Sequence, residues 1–287
     1  ASWSTDTQLT NDTRQDINGA VTQASDGKIW VIWARSVNST NDELFYKTFN
    51  GATWSTETQL TNNPNLDGEP SIMQTSDSKI WFFWNRFVPD ASGGHSQIYH
   101  RTFDGYSWAP ETQFTSDTNK DNLYPTAFQD REGTIWLFWA LKTQQQQATF
   151  DLWFKTSTDN GATWSASTQF TIDTGDDMYP SAIEAKDKSI WVVWTSTRPD
   201  PVYEVENIDL YCKTTLLGDI TGPSGIPDGS IDIYDLAAIA RAAGTDPIHF
   251  PHGTGWNQWN PDADLNADNI VNVLDLFISG KNYGHTA

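Results

Sequence analysis

The sequence is short of cysteine, methionine and positive charge. Of its 287 residues one is Cys, Cys212, and two are Met. A single cysteine excludes an internal disulfide, and its expected place is that of a small buried strand residue. Lys and Arg number 17 against 37 Asp and Glu, a formal net charge of −20. So acidic a surface repels phosphate backbones and anionic lipid, which argues against nucleic acid and membrane surfaces as partners. No run reaches the roughly 18 apolar residues of a membrane span. The five His show no ligand spacing, so neither zinc nor a catalytic His is indicated. The chain opens Ala1-Ser2-Trp3, already inside its first repeat. This suggests a mature N-terminus left by signal-peptide removal, hence a secreted or cell-surface protein. The sequons at Asn11 and Asn38 lie in polar stretches and are candidate glycosylation sites if the chain is exported.

Tryptophan, by contrast, is abundant, with 15 residues, most of them at fixed intervals. Trp3-Ser4-Thr5-Asp6-Thr7-Gln8-Leu9-Thr10 returns near Trp54, Trp108 and Trp164, a period of about 50 residues. A second hallmark is Ile29-Trp30-Val31-Ile32-Trp33, repeated from Ile80, Ile135 and Ile190. Each is a continuous apolar run bounded by polar turns, the mark of a strand covered on both faces. A third, half-alternating hallmark begins at Leu44, Ile98, Leu152 and Leu210. An innermost strand is expected after Pro70, Pro125 and Pro180, with Ala20 in the first repeat. Four short strands in each such repeat make a propeller blade. The chain begins with an outermost strand and ends its fourth repeat without one. Residues Trp3 to Thr10 are therefore expected to complete the last blade and close a four-bladed ring, since closure removes unpaired edges.

Six residues after each Gln-(Leu/Phe)-Thr stands an Asp: Asp16, Asp67, Asp121 and Asp177. All four precede an innermost strand and belong at one end of the channel. Either they form a ring of carboxylates that a cation compensates, or each caps its own turn. Arg35 and Arg86 occupy one place in two blades, which the third and fourth lack.

Ser157-Thr158-Asp159-Asn160-Gly161-Ala162-Thr163-Trp164 matches the Asp-box pattern, with shortened versions before Trp54 and Trp108. Residues 1–216 thus resemble the sialidase-type (BNR-repeat) propellers. In that family the box is a structural fastener far from the active site. Its enzymes use an arginine cluster, a Tyr/Glu nucleophile pair and an acid Asp, usually on six blades. Here the arginines are scattered and no unique pair of carboxylates stands out, so no catalytic activity is expected.

Composition changes at Leu217. Asp264, Asn266, Asp268, Asn272 and Asp275 place oxygens at positions one, three, five, nine and twelve of a calcium loop, and the Ile270 carbonyl takes position seven. A variant loop offers Asp228, the Ser230 carbonyl, Asp232 and Asp235, with Asp219 as first ligand if the intervening insert loops out. A short helix is expected after each loop. Residues 217–287 resemble the type I dockerin, a duplicated half-EF-hand, and the resemblance implies two Ca2+ sites. Where cellulosomal dockerins carry a Ser-Thr pair that contacts cohesin, this chain has Ile233-Tyr234 and Val273-Leu274, a more apolar surface.

The expectation is therefore mainly β: a four-bladed propeller plus a small helical dockerin-like domain. Functionally, it is an extracellular scaffold or filament subunit whose calcium-loaded tail attaches to a neighbouring subunit or surface protein. The alternative is a carbohydrate-binding or glycoside-hydrolysing propeller tethered through its dockerin.

Overall fold

A computed structural model describes residues 2–91, 93–142, 149–186, 188–198 and 208–215, together with Asp235, Leu236, Ile239, Ala263, Leu265, Ile270 and Val271. The apolar Ile-Trp-x-x-Trp runs become the second strand of each sheet: β2 (Ile29–Asn38), β6 (Ile80–Val88), β10 (Ile135–Lys142) and β14 (Ile190–Ser196). The innermost strands are β1 (Asp16–Gln23), β5 (Asp67–Gln74), β9 (Asp121–Gln129) and β13 (Asp177–Glu184). The third are β3 (Asn41–Phe49), β7 (His95–Phe103), β11 (Phe150–Ser157) and β15 (Asp209–Thr214). Three outermost strands are two residues long: β4 (Thr58–Gln59), β8 (Thr112–Gln113) and β12 (Thr168–Gln169). The sheets run β1-β2-β3-β4, β5-β6-β7-β8, β9-β10-β11-β12 and β13-β14-β15, a four-bladed β-propeller.

By contact the chain divides into two units, Ala1–Ala182 with Trp194–Tyr211, and Ile183–Val193 with Cys212–Ala287. In the first unit, aromatic side chains fill the spaces between blades. Trp30, Ile32 and Leu44 of the first blade pack with Phe82 and Trp84 of the second. Trp81 and Phe83 of the second pack with Leu137 and Trp139 of the third. The Asp-box turns fasten these seams. Asp159 Oδ1 accepts from Thr163 N at 2.8 Å, while Gly161 holds φ at 84°. Trp164 then lies edge-on to Phe114, centroids 4.9 Å apart, in the neighbouring blade. In the second unit, Ile239, Ala263, Leu265 and Val271 form a small buried cluster.

Several expectations are corrected. Residues 2–15 form no strand, Trp3 is fully exposed, and the fourth sheet has three strands among the described residues. The expected closure by a Trp3–Thr10 strand is therefore not formed. Leu9 nevertheless sits where that strand belongs: its carbonyl accepts from Lys47 Nζ at 2.9 Å, as the Leu60 carbonyl accepts from Arg101 at 2.8 Å. Outer strands make only a two-residue ladder even in the other blades, so they are the most weakly held. Cys212 is exposed, not buried, because β15 is the edge strand of its sheet. The innermost strands start three or four residues before the prolines, at the shared Asp. The expected dockerin helices are not seen as elements among the described residues, where only Asp235, Leu236 and Ile239 are α-helical.

Candidate functional site

Three of the innermost strands, β1, β5 and β9, bulge at the same place. In β1 the pairing with β2 passes from Ile17↔Ala34 to Ala20↔Ile32, so Asn18 and Gly19 together face Trp33. Glu69 and Pro70 likewise face Trp84, and Tyr124 and Pro125 face Trp139. Two residues against one is a β-bulge, and proline suits it because it has no N–H to leave unpaired. The first residue of each bulge holds a positive φ: 56° at Asn18, 54° at Glu69, 55° at Tyr124. Tyr179, which precedes Pro180 in β13, holds 55°. Such values are uncommon outside glycine and cost about 1–2 kcal/mol each. Their recurrence identifies a backbone device that aims one side chain per blade into the space between the innermost strands.

Those four side chains meet. Asn18 Nδ2 donates to Glu69 Oε1 at 3.1 Å. Tyr179 OH donates to Tyr124 OH at 3.2 Å, and the two rings lie 4.0 Å apart between centroids. Burial pushes the Glu69 carboxyl up, partly offset by the Asn18 amide. Burial, the Tyr179 hydroxyl and the charge of Glu69 push the Tyr124 hydroxyl up in turn. Among the described residues no cation pairs with either group. Tyr179 is 53% exposed, so the cluster opens to solvent on its side. The arrangement offers an amide, a carboxyl whose pKa is raised by burial, two phenols and an accessible aromatic face.

The four aspartates expected at the channel mouth are the first residues of β1, β5, β9 and β13. Arginines hold three of them. Asp67 accepts from Arg86 Nε at 2.6 Å, Arg86 Nη2 at 2.7 Å and Trp84 Nε1 at 3.0 Å. Asp16 makes the same bonds with Arg35 and Trp33. Although burial opposes it, Arg35 brings the Asp16 carboxyl below its ordinary value. Asp177 accepts from Arg198 at 3.2 Å. Asp121 accepts instead from the Ser96 backbone at 2.8 Å. Each arginine is gripped by a further carboxylate, Glu57, Glu111 or Asp173 respectively. Each also lies over an aromatic ring, Phe45, Tyr99 or Tyr211. Among the described residues no group of three carboxylate, His or Cys side chains could hold a metal. The reading that the fourth blade lacks this arginine is corrected: Arg198 supplies it from two residues further along, past a Thr-Ser-Thr that the other blades do not have.

A third set recurs at the start of β3, β7 and β11, where Glu43, Gln97 and Asp151 face the loop into the next blade. Gln97 Nε2 donates to the carbonyls of Asp117 and Lys120 at 3.1 and 2.9 Å. Asp151 has no such donor. Its Oδ2 accepts from Gln169, its Oδ1 is buried without a partner, and burial with nearby Asp177 and Asp173 pushes its carboxyl up to about 6.

Asn11 and Asn38 are exposed, and the Asn38 side chain accepts from Thr40 N at 2.9 Å. Of the calcium-ligand candidates, Asp219, Asp228, Ser230, Asp232, Asp264, Asn266, Asp268, Asn272 and Asp275 lie outside the described residues. Asp235 is fully buried with helical backbone, and Ile270 is half exposed.

No family model matches the chain, and no curated protein does. Solved structures do. The GH93 α-L-arabinofuranosidase of Fusarium graminearum, in complex with arabinobiose, superposes with TM-score 0.53 at 15% identity, over 70% of this chain and 62% of the enzyme. The NanB sialidase of Streptococcus pneumoniae superposes with TM-score 0.52 at 9% identity, over 67% of this chain and 50% of the sialidase. The chain thus spans half to three fifths of the length of these two enzymes. At such identity the likeness establishes the fold, a sialidase-type propeller. It also overturns the expectation of a non-catalytic chain, because both matches are glycoside hydrolases built on that fold.

Proposed function

We propose that the propeller is a carbohydrate-active module that seats a saccharide at Asn18, Glu69, Tyr124 and Tyr179 and hydrolyses a glycosidic bond with Glu69 as proton donor. One observation carries the reading: four equivalent positive-φ positions on the innermost strands bring polar and aromatic groups into a single cluster around a carboxyl whose pKa burial raises. Sugar sites combine an aromatic face with a few convergent polar groups. A general acid near its working pH is made by desolvating a carboxyl. In the step proposed, Glu69 gives its proton to the leaving oxygen as the glycosidic C–O bond breaks. Water adds to the anomeric carbon, and its surplus proton restores the Glu69 carboxyl. The activities of the two matching enzymes, which share this fold, support the same reading.

The tail extends it. The spacing of Asp264, Asn266, Asp268, Ile270, Asn272 and Asp275 suits Ca2+, and Asp219, Asp228, Ser230, Asp232 and Asp235 suit a second ion. A calcium-folded, dockerin-like handle would tether the propeller to a surface protein of an exporting cell.

The test is a panel of aryl glycosides and a glycan array with the full chain in calcium. Turnover of one class is expected, and Glu69→Gln should lower it by about 100-fold or more while leaving the far-UV and near-UV circular dichroism unchanged. An array without a bound glycan together with no turnover on any aryl glycoside rejects the proposal.

A further inference from the structure

We infer that the saccharide is neutral, and that Glu69 is what turns acidic sugars away. This rests on the functional reading above and sharpens it. A site for a sugar carboxylate needs a cation free to pair with it, usually a guanidinium offering two parallel N–H bonds. The three arginines at this end of the propeller are already committed. Arg35 is held between Asp16 and Glu57, Arg86 between Asp67 and Glu111, and Arg198 between Asp177 and Asp173. Arg35 and Arg86 are also buried. Lys142, which takes the arginine's place in the third blade, lies over the Phe150 ring on β11, on the side of β10 away from the innermost strand. Arg14 is bonded to Asp12. Among the described residues no cation, Lys120 beside Asp121 included, pairs with Glu69 or Tyr124; the Glu69 side chain meets the Asn18 amide instead.

What the cluster does present is chemistry for hydroxyls. The Asn18 amide and two phenols can both donate and accept, and Tyr179 gives a ring face. Glu69 accepts from a sugar hydroxyl when ionised and donates when protonated. Against a uronate or sialate the same group becomes a like charge in a partly buried place, or is forced to hold its proton. Either way the acidic sugar is penalised and the neutral one is not.

The decisive comparison uses two oligomers that differ only at C6, oligogalactosides and oligogalacturonides. They are titrated calorimetrically into the full chain in calcium at pH 7, beside a second pair, lactose and sialyllactose. The neutral member of whichever pair binds should bind at least about tenfold more tightly. Glu69→Gln should shrink that preference, and Asn18→Lys, which places a cation at the rim, should shrink or reverse it. Both variants are checked for native near-UV circular dichroism, and either one suffices if the other is misfolded. Equal or tighter binding of the acidic member overturns this inference and leaves the carbohydrate reading standing, as does a preference that neither folded variant changes. Binding of no saccharide on the panel removes the carbohydrate reading, and this inference with it.

Discussion

Asp151 and Gly161 show how much rests on single positions. Asp151 has its carboxyl pushed up to about 6 by burial and by Asp177 and Asp173. The fold therefore holds that proton more tightly than the unfolded chain does. Below about pH 4 the group is neutral in both states and carries no penalty. As pH rises through 6 the folded protein must bear a buried charge, and stability is lost. Asp151→Asn should therefore raise the denaturation midpoint at pH 8, by roughly 2 kcal/mol, and make little difference at pH 4.5. Denaturant titrations at the two pH values decide it, and a gain that is equal at both refutes the assignment. At Gly161 the backbone is left-handed, and an added Cβ would overlap the Trp81 indole of the adjacent blade. At Gly51 the backbone is also left-handed, but the space is open. Gly51→Ala should cost about 1 kcal/mol of backbone strain, and Gly161→Ala about 2–4 kcal/mol with the added clash. Equal melting temperatures for the two variants would show that the seam is not tight there.

Among the elements, the Asp–Arg clamps tie the first strand of a blade to the second and reach the segment leading to the outermost strand. In the second blade, Arg86 joins Asp67 of β5 to Glu111 just before β8, over the Tyr99 ring of β7. Arg86→Met leaves Asp67 charged and fully buried, and should destabilise by about 3–5 kcal/mol. Asp67→Asn in the same chain should recover part of that loss, since the stranded charge is gone. A double-mutant cycle read by chemical denaturation measures the coupling, and strictly additive losses would count against it. The second-strand runs and the shared Asp were legible in the sequence because they recur as identities, and identity is what repeat detection sees. The bulge cluster was not legible, because Asn18, Glu69, Tyr124 and Tyr179 share a place and a backbone geometry but, apart from the two tyrosines, not a side chain. The available signal was positional: Asn18, Glu69 and Tyr179 stand two residues after the shared Asp and Tyr124 three, and three of the four precede proline. Arg198 escaped for a related reason, being offset by two residues from Arg35 and Arg86. The exposure of Cys212 and the missing closure strand followed from the short outer ladders, which a residue pattern alone does not weigh.

For the whole molecule, the propeller and the acidic tail should answer differently to calcium. If the tail loops bind as their spacing implies, calorimetry of chelated protein should return about two Ca2+ per chain. Near-UV circular dichroism of the propeller tryptophans should change little on chelation, while far-UV helical signal should rise with added calcium. An absence of calcium uptake would remove the tether and leave the sugar reading of the propeller untouched. The two functions are thus separable by experiment.

The four positive-φ positions also bear on how such a protein can change its taste. Because a kinked backbone fixes the direction of each pointing residue, the residue itself is released from any duty in the ladder or the seam. Swapping the amino acids at 18, 69, 124 and 179 should therefore retune what is bound without remaking the wheel. A combinatorial library confined to those codons would be the natural place to begin redesign.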